Sequence, residues 1–215
     1  MNFNLYNSYS WAMNVLGFDR QISRFIDELS LDHQGVERIL DVGCGTGVMG
    51  FQLLVRFPDA TLLATDIQER FLQGVLSHSE NMGLEQDRVS VGLSDITKPA
   101  EVELMPGGRT SLERESFDLI SVGAVIGYSK DQRETIKALV SLIKPGGVLL
   151  NLEMNEQVVG RWTSHRYEYD VIPIKEMATL MAEEGCSVSR LPLSTKYFPV
   201  NMTRVGLLAV KKRSF

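Results

Sequence analysis

Four stretches of this sequence hold residue types that do chemistry. In "ILDVGCGTGVMG" (residues 39–50), an apolar run ends in Asp41 and opens into Gly43, Gly45, Gly47 and Gly50. Glycine accepts positive φ and lets a ligand come close to the backbone. A helix that follows adds unpaired N–H groups and the positive end of its dipole. A ligand-binding turn from strand to helix is therefore expected here. The Asp41 carboxylate suits a ligand that is cationic at this end and would repel a pyrophosphate. In the second stretch, Asp66 closes the apolar run "ATLLATDI", where an acid can accept hydrogen bonds from both hydroxyls of a ribose. In the third, Asp95 closes "RVSVGLSDI". Three acids at three successive strand-like ends rarely coincide by chance. The fourth stretch, "NEQVVGRWTSHRYEYDVIP" (residues 155–173), gathers Arg161, Trp162, His165, Arg166, Tyr167 and Tyr169. A loop this long inside a domain is often functional. His165 is its preferred proton acceptor, because an imidazole suits proton transfer at neutral pH.

The elements that must position these residues alternate. Short apolar runs at 37–43, 60–67, 88–96, 117–126 and 145–153 read as strands buried on both faces. Runs with helical spacing lie between them, as in "VMGFQLLVRF", "ERFLQGVLSHSENMG" and "DQRETIKALVSLI". This alternation predicts an α/β, doubly wound, mostly parallel sheet. After one more helix, "IKEMATLMAEEG", two strand-like runs close the chain with no helix between them, so the last returns antiparallel. Seven strands are expected in all. Residues 1–34 precede the first strand and read as helical, and residues 97–116 form a polar insertion between the third and fourth strands. The expected division of a single domain is 1–34 as N-terminal helices, 35–153 as the ligand-binding core and 154–215 as acceptor loop, last helix and closing strands.

The 215 residues suit one domain. A formal charge of -5 argues against a broad phosphate-tracking surface, so no nucleic-acid partner is expected. Two cysteines, Cys44 and Cys186, imply no disulfide framework and fit a reducing compartment. No apolar run reaches the roughly 20 residues that span a bilayer, and the first residues lack the pattern of a secretion signal. A cytoplasmic protein without a membrane partner is the expectation. No His, Cys or acid cluster has metal-ligand spacing.

Asp41-x-Gly43-x-Gly45-x-Gly47 resembles the first motif of class I S-adenosylmethionine-dependent methyltransferases, with a Rossmann-like fold. "LSDIT", "FDLISVG" and "LIKPGGVLL" resemble the family's later strand signatures. The resemblance implies S-adenosyl-L-methionine as cofactor. It implies that Asp66 holds the ribose beside Ile67, and that Asp95 meets the adenine amino group with Ile96 packed on the ring. It places Gly123 under the methyl-donor end. Cys44 lies within the turn and reads as a small packing residue there. An overlapping reading, Gly45-x-Gly47-x-x-Gly50, is the fingerprint of a nicotinamide-dependent oxidoreductase. Asp41, the "SDI" element and the two-strand ending disfavour it. A cofactor-binding regulator without catalysis stays open as well.

The acceptor is expected to be a small molecule. After the fourth strand the chain reads "GAVIGYSK" and lacks the Asn-Pro-Pro-aromatic tetrad of base and amide methyltransferases. "YNSYSWAMNVLGFDRQI" resembles the lid helices of ubiquinone and natural-product methyltransferases, with Asn7 where those carry Asp. Tyr6, Tyr9 and Trp11 would close over the cofactor, where aromatic faces favour a sulfonium. Glu153 and Tyr128 fall near strand ends and would border the acceptor, with Tyr128 and His165 as candidates for assisting deprotonation. Methyl transfer is an in-line displacement, so positioning is expected to supply most of the catalysis.

Overall fold

The computed structural model of the chain describes residues 17–31 and 35–213. The apolar runs become strands because both of their faces are covered. Ile39 and Leu40 are neighbours on β1 (Arg38–Val42), so they point to opposite faces of the sheet. Both are fully buried, Ile39 in one core layer and Leu40 in the other. Burying each such side chain contributes roughly 1.5–3 kcal/mol.

After β1 the chain runs through α2 (Val48–Arg56), β2 (Thr61–Asp66), α3 (Glu69–Asn81) and β3 (Val89–Leu93). Helix α1 (Phe18–Glu28) precedes β1. Then come β4 (Glu101–Met105), β5 (Arg109–Ser111), β6 (Phe117–Val122), α4 (Gln132–Leu142) and β7 (Ile143–Met154). The chain closes with α5 (Val158–Arg166), α6 (Ile174–Glu183), β8 (Cys186–Leu191) and β9 (Arg204–Lys211). The sheet order is β5-β4-β3-β2-β1-β6-β7-β9-β8. Strands β3, β2, β1, β6 and β7 are parallel, and β9 runs antiparallel between β7 and β8. This is the expected doubly wound, mostly parallel sheet with an antiparallel last strand.

Two features differ from the sequence reading. The insertion at 97–116 is not an irregular loop: β4 and β5 form a hairpin that extends the sheet from seven strands to nine. Its alternating "EVELM" buries only Val102 fully, and that side chain packs where Gly92 of β3 leaves room, 2.3 Å from where a Cβ would stand. The segment 155–173 is also not all loop, because α5 occupies its middle. Its apolar residues show no helical stripe, and β-branched Val158, Val159 and Thr163 are weak helix formers. The start is set locally instead. Asn155 Oδ1 accepts the Gln157 N–H at 3.2 Å, and Gly160 sits so close to Asn155 that a Cβ would fall 2.4 Å from its carbonyl oxygen.

Helix α1 shows the stripe plainly. Phe18, Ile22, Phe25 and Ile26 are buried, at i, i+4, i+7 and i+8. Phe25 meets Tyr197 edge-on at 5.4 Å, and the Tyr197 hydroxyl donates to Glu28 at 2.8 Å. The order of strands reverses between β1 and β6, and at such a switch point the carboxyl ends of the strands leave a crevice for ligands. Asp41 and Ser121 are paired in register across that junction.

Candidate cofactor and acceptor site

The crevice is a cavity of about 840 Å3, within the size range of ligand sites. The β1–α2 turn forms its floor. Gly43 has φ +63°, and a Cβ there would fall 2.6 Å from a Val125 methyl. Gly45 has φ +52°, and a Cβ there would meet nothing within 4 Å. Both line the cavity, with Cys44 between them. Gly47 lies outside the lining: a Cβ on it would press at 3.0 Å on Phe51 and Val75, so this glycine lets α2 and α3 pack.

Two carboxylates tie this turn to its neighbours. Asp41 Oδ1 accepts the Ser121 hydroxyl at 2.7 Å and Oδ2 accepts the Gly50 N–H at 3.1 Å. Burial raises its pKa from the ordinary 3.8 to about 6, against the pull of those two bonds. Asp66 Oδ2 accepts the Gly45 N–H at 3.0 Å and Oδ1 accepts that of Gln68 at 2.9 Å. Burial pushes its pKa up as well. The Cys44 thiol is held well above its usual value by burial first and then by Asp41 and Asp66, as befits an unreactive packing group.

Along the wall from Asp66 stand Ile67, Ser94, Asp95 and Ile96. Asp95 Oδ1 accepts both the N–H and the hydroxyl of Thr97, at 2.8 and 2.9 Å, which fixes the turn after β3. Gly123, at the end of β6, also lines the cavity beside Met49. The buried hydroxyl of Ser94 has no hydrogen-bond partner among the described residues, and neither has that of Ser164 on the opposite wall. Buried polar groups are nearly always paired, so both walls fit a ligand with polar atoms of its own.

That opposite wall holds Tyr128, Lys130, Thr163, Ser164, Tyr167, Tyr169 and Arg204. The rings of Tyr128 and Tyr169 meet edge-on at 5.0 Å. The Tyr169 hydroxyl donates to Glu153 Oε1, which also accepts the Met154 N–H at 2.7 Å. Glu153 is buried, and burial raises its pKa against those bonds and the charge of Arg204.

The structure thus gathers Asp41, Gly43, Cys44, Gly45, Asp66, Ile67, Asp95, Ile96, Gly123 and Tyr128 around one cavity. His165 is a correction to the sequence reading. It is exposed on α5 and outside the lining, because the helix turns Thr163 and Ser164 inward instead. Tyr6, Tyr9 and Trp11 lie outside the described residues. His78 packs edge-on against Phe51 at 4.5 Å. Among the described residues, no group of His, Cys, Asp or Glu could hold a metal, and no helix is long and apolar enough to cross a membrane. Arg204, Ser94 and Ser164, and the pairing of Tyr169 with Glu153, emerge only in the structure. A lone arginine opening the apolar run "RVGLLAV" was the available signal for Arg204.

Comparison with known proteins agrees with the fold. Residues 33–189 match the family model described as a methyltransferase domain. The chain is 31% identical over 130 residues to malonyl-[acyl-carrier protein] O-methyltransferase of Acetivibrio thermocellus, covering 60% of this chain and 40% of that protein. It is 23% identical over 200 residues to demethylmenaquinone methyltransferase of Oceanobacillus iheyensis, covering 91% and 78%. The chain spans about half the length of the malonyl-[acyl-carrier protein] methyltransferases that it matches. An O-methyltransferase family protein from Burkholderia thailandensis shares the fold with a TM-score of 0.72 at 19% identity, over 97% of this chain and 60% of that one. With the motif, the sheet order and the family match in agreement, the chain belongs to the methyltransferase-domain family of the class I, S-adenosylmethionine-dependent fold.

Proposed function

We propose that this protein transfers a methyl group from S-adenosylmethionine to a small-molecule acceptor. The observation that carries the reading is the single cavity running from Asp66 and Asp95, over the glycine turn, to Tyr128 and Tyr169. The cofactor supplies an electrophilic methyl group on a sulfonium. Asp66 accepts hydrogen bonds from the ribose hydroxyls. Asp95 accepts from the adenine amino group, with Ile96 and Ile67 against the ring. Asp41 favours the cationic end of the methionine moiety, and Gly123 leaves space beside the methyl donor. The wall of Tyr128, Tyr169, Ser164 and Arg204 receives the acceptor and holds it in line.

A concave cavity of this size supports a small acceptor over a macromolecular one. The names of the relatives cover both a carrier-bound malonyl group and demethylmenaquinone. The acidic balance of the chain speaks against nucleic acid.

Thermal unfolding with saturating S-adenosylhomocysteine, S-adenosylmethionine or NAD tests the cofactor. A ligand at 100 times its Kd adds about 2.7 kcal/mol, roughly 5–10 °C for a domain of this size. Shifts with the two adenosyl ligands alone are expected. A shift with NAD alone would replace this reading with an oxidoreductase.

A further inference from the structure

One ionisable pair, Glu153 and Tyr169, joins the acceptor wall to the buried end of a strand. Glu153 sits at the end of β7, 1% exposed and outside the cavity lining, while Tyr169 lines the cavity and hydrogen-bonds to it. Several contacts hold the tyrosine in place. Its N–H donates to the Ser164 carbonyl at 2.9 Å, and the Tyr128 ring abuts it. Gly127 gives it room: a Cβ there would fall 2.4 Å from the Tyr169 ring. A phenol that donates to a carboxylate still has lone pairs to accept with. An incoming hydroxyl at this wall therefore finds an acceptor in Tyr169, and the unpartnered Ser164 hydroxyl beside it.

We propose that Tyr169 and Glu153 form a proton relay for a hydroxyl nucleophile, so that the acceptor of this enzyme is a phenol, enol or alcohol. The inference rests on the methyltransferase reading above. As the acceptor oxygen bonds to the methyl carbon, the carbon–sulfur bond breaks and its electron pair stays on sulfur, leaving a neutral thioether. The acceptor proton passes to Tyr169 Oη, and the tyrosine's own proton passes to Glu153 Oε1. Glu153 ends as a neutral acid and returns its proton to solvent after product leaves. Tyr169 is the catalytic residue of the pair because it touches the acceptor, and Glu153 positions it and stores the proton. Burial makes Glu153 a better proton store than an exposed carboxylate, and the Arg204 charge tempers that effect. A carboxylate acceptor arrives already ionised and needs no such pair.

The probe is 4-nitrophenol, which is yellow only when ionised, added to protein saturated with S-adenosylhomocysteine at a pH where the free probe is mostly colourless. In the wild type the bound probe is expected to be yellow, with its proton on Glu153. In Tyr169→Phe and Glu153→Gln the bound phenolate fraction should fall by at least about 10-fold. A colourless bound probe in the wild type overturns the relay. Equal colour in wild type and both variants also overturns it, and so does failure of the wild-type complex to bind the phenol. Calorimetry with S-adenosylhomocysteine alone runs in parallel. All three proteins should bind it alike, and a wild type that does not bind it refutes the methyltransferase reading rather than the relay.

Discussion

Asp66 Oδ2 accepts the N–H of Gly45 at 3.0 Å, so the carboxylate at the end of β2 pins the glycine turn that follows β1. One side chain thus shapes the floor of the cavity and stands in its wall. Replacing Asp66 with Ala removes the turn's anchor together with the acceptor proposed for the ribose hydroxyls. Affinity for S-adenosylhomocysteine should fall by about 1–3 kcal/mol in calorimetry. An unchanged affinity would remove Asp66 from the site.

The parts of this arrangement that the sequence made legible are those written in local residue types. Glycines in alternate positions after an acid announce a tight turn, and Asp66 and Asp95 each follow an apolar run that reads as a strand. The hairpin of β4 and β5 was not legible, because its outer strand is exposed throughout and carries no alternation. Helix α5 has weak formers and is set by Asn155 and Gly160, contacts that no periodicity reveals. Glu153 and Tyr169 are 16 residues apart and meet only because α5 folds the chain back over the end of β7. The chemistry of His165 is legible in its residue type, but direction on a helix decides access, and the helix points it to solvent.

Asp41 links stability and cofactor binding to pH. Its folded pKa of about 6 lies above the ordinary 3.8, so between these values the folded protein binds a proton that the unfolded chain has released. Stability should therefore fall as pH rises from about 4 to 6 and then level off. Asp41→Asn keeps an acceptor for the Gly50 N–H and offers Ser121 an amide donor in place of the carboxylate acceptor, and it does not titrate, so it should flatten this slope. At pH 7 it should be more stable than wild type by roughly 1–3 kcal/mol in denaturant titrations. Binding has the opposite sign. If the ionised carboxylate attracts the ammonium group as proposed, wild-type affinity for S-adenosylhomocysteine should rise through pH 6, and the Asn variant should bind more weakly with little pH dependence.

Gly43 and Gly45 should fail differently. Both have positive φ, which costs an ordinary side chain about 1–2 kcal/mol. Gly43→Ala also drives a methyl group into Val125, so its main effect should be on folding, with a lower midpoint in thermal unfolding without ligand. Gly45→Ala meets no protein atom, and its new methyl group stands in the cavity proposed for the cofactor. Its unfolding midpoint should drop only by the backbone term, while affinity for S-adenosylhomocysteine should fall by much more. Equal losses of affinity in the two variants would mean that the turn does not touch the cofactor.

Tyr128 and His165 allow the acceptor wall to be tested by contrast. His165 is exposed on α5, so His165→Ala should change stability by no more than about 0.5 kcal/mol and leave methyl transfer intact. Tyr128 lines the cavity at 44% exposure and holds the Tyr169 ring edge-on. Tyr128→Ala removes an aromatic contact of about 0.5–1.5 kcal/mol. It also frees Tyr169 to leave its position, so turnover should drop while affinity for S-adenosylhomocysteine is retained. If His165→Ala abolished turnover and Tyr128→Ala did not, α5 would have to rotate inward during the reaction. The acceptor wall would then be built from the face of α5 that now meets solvent.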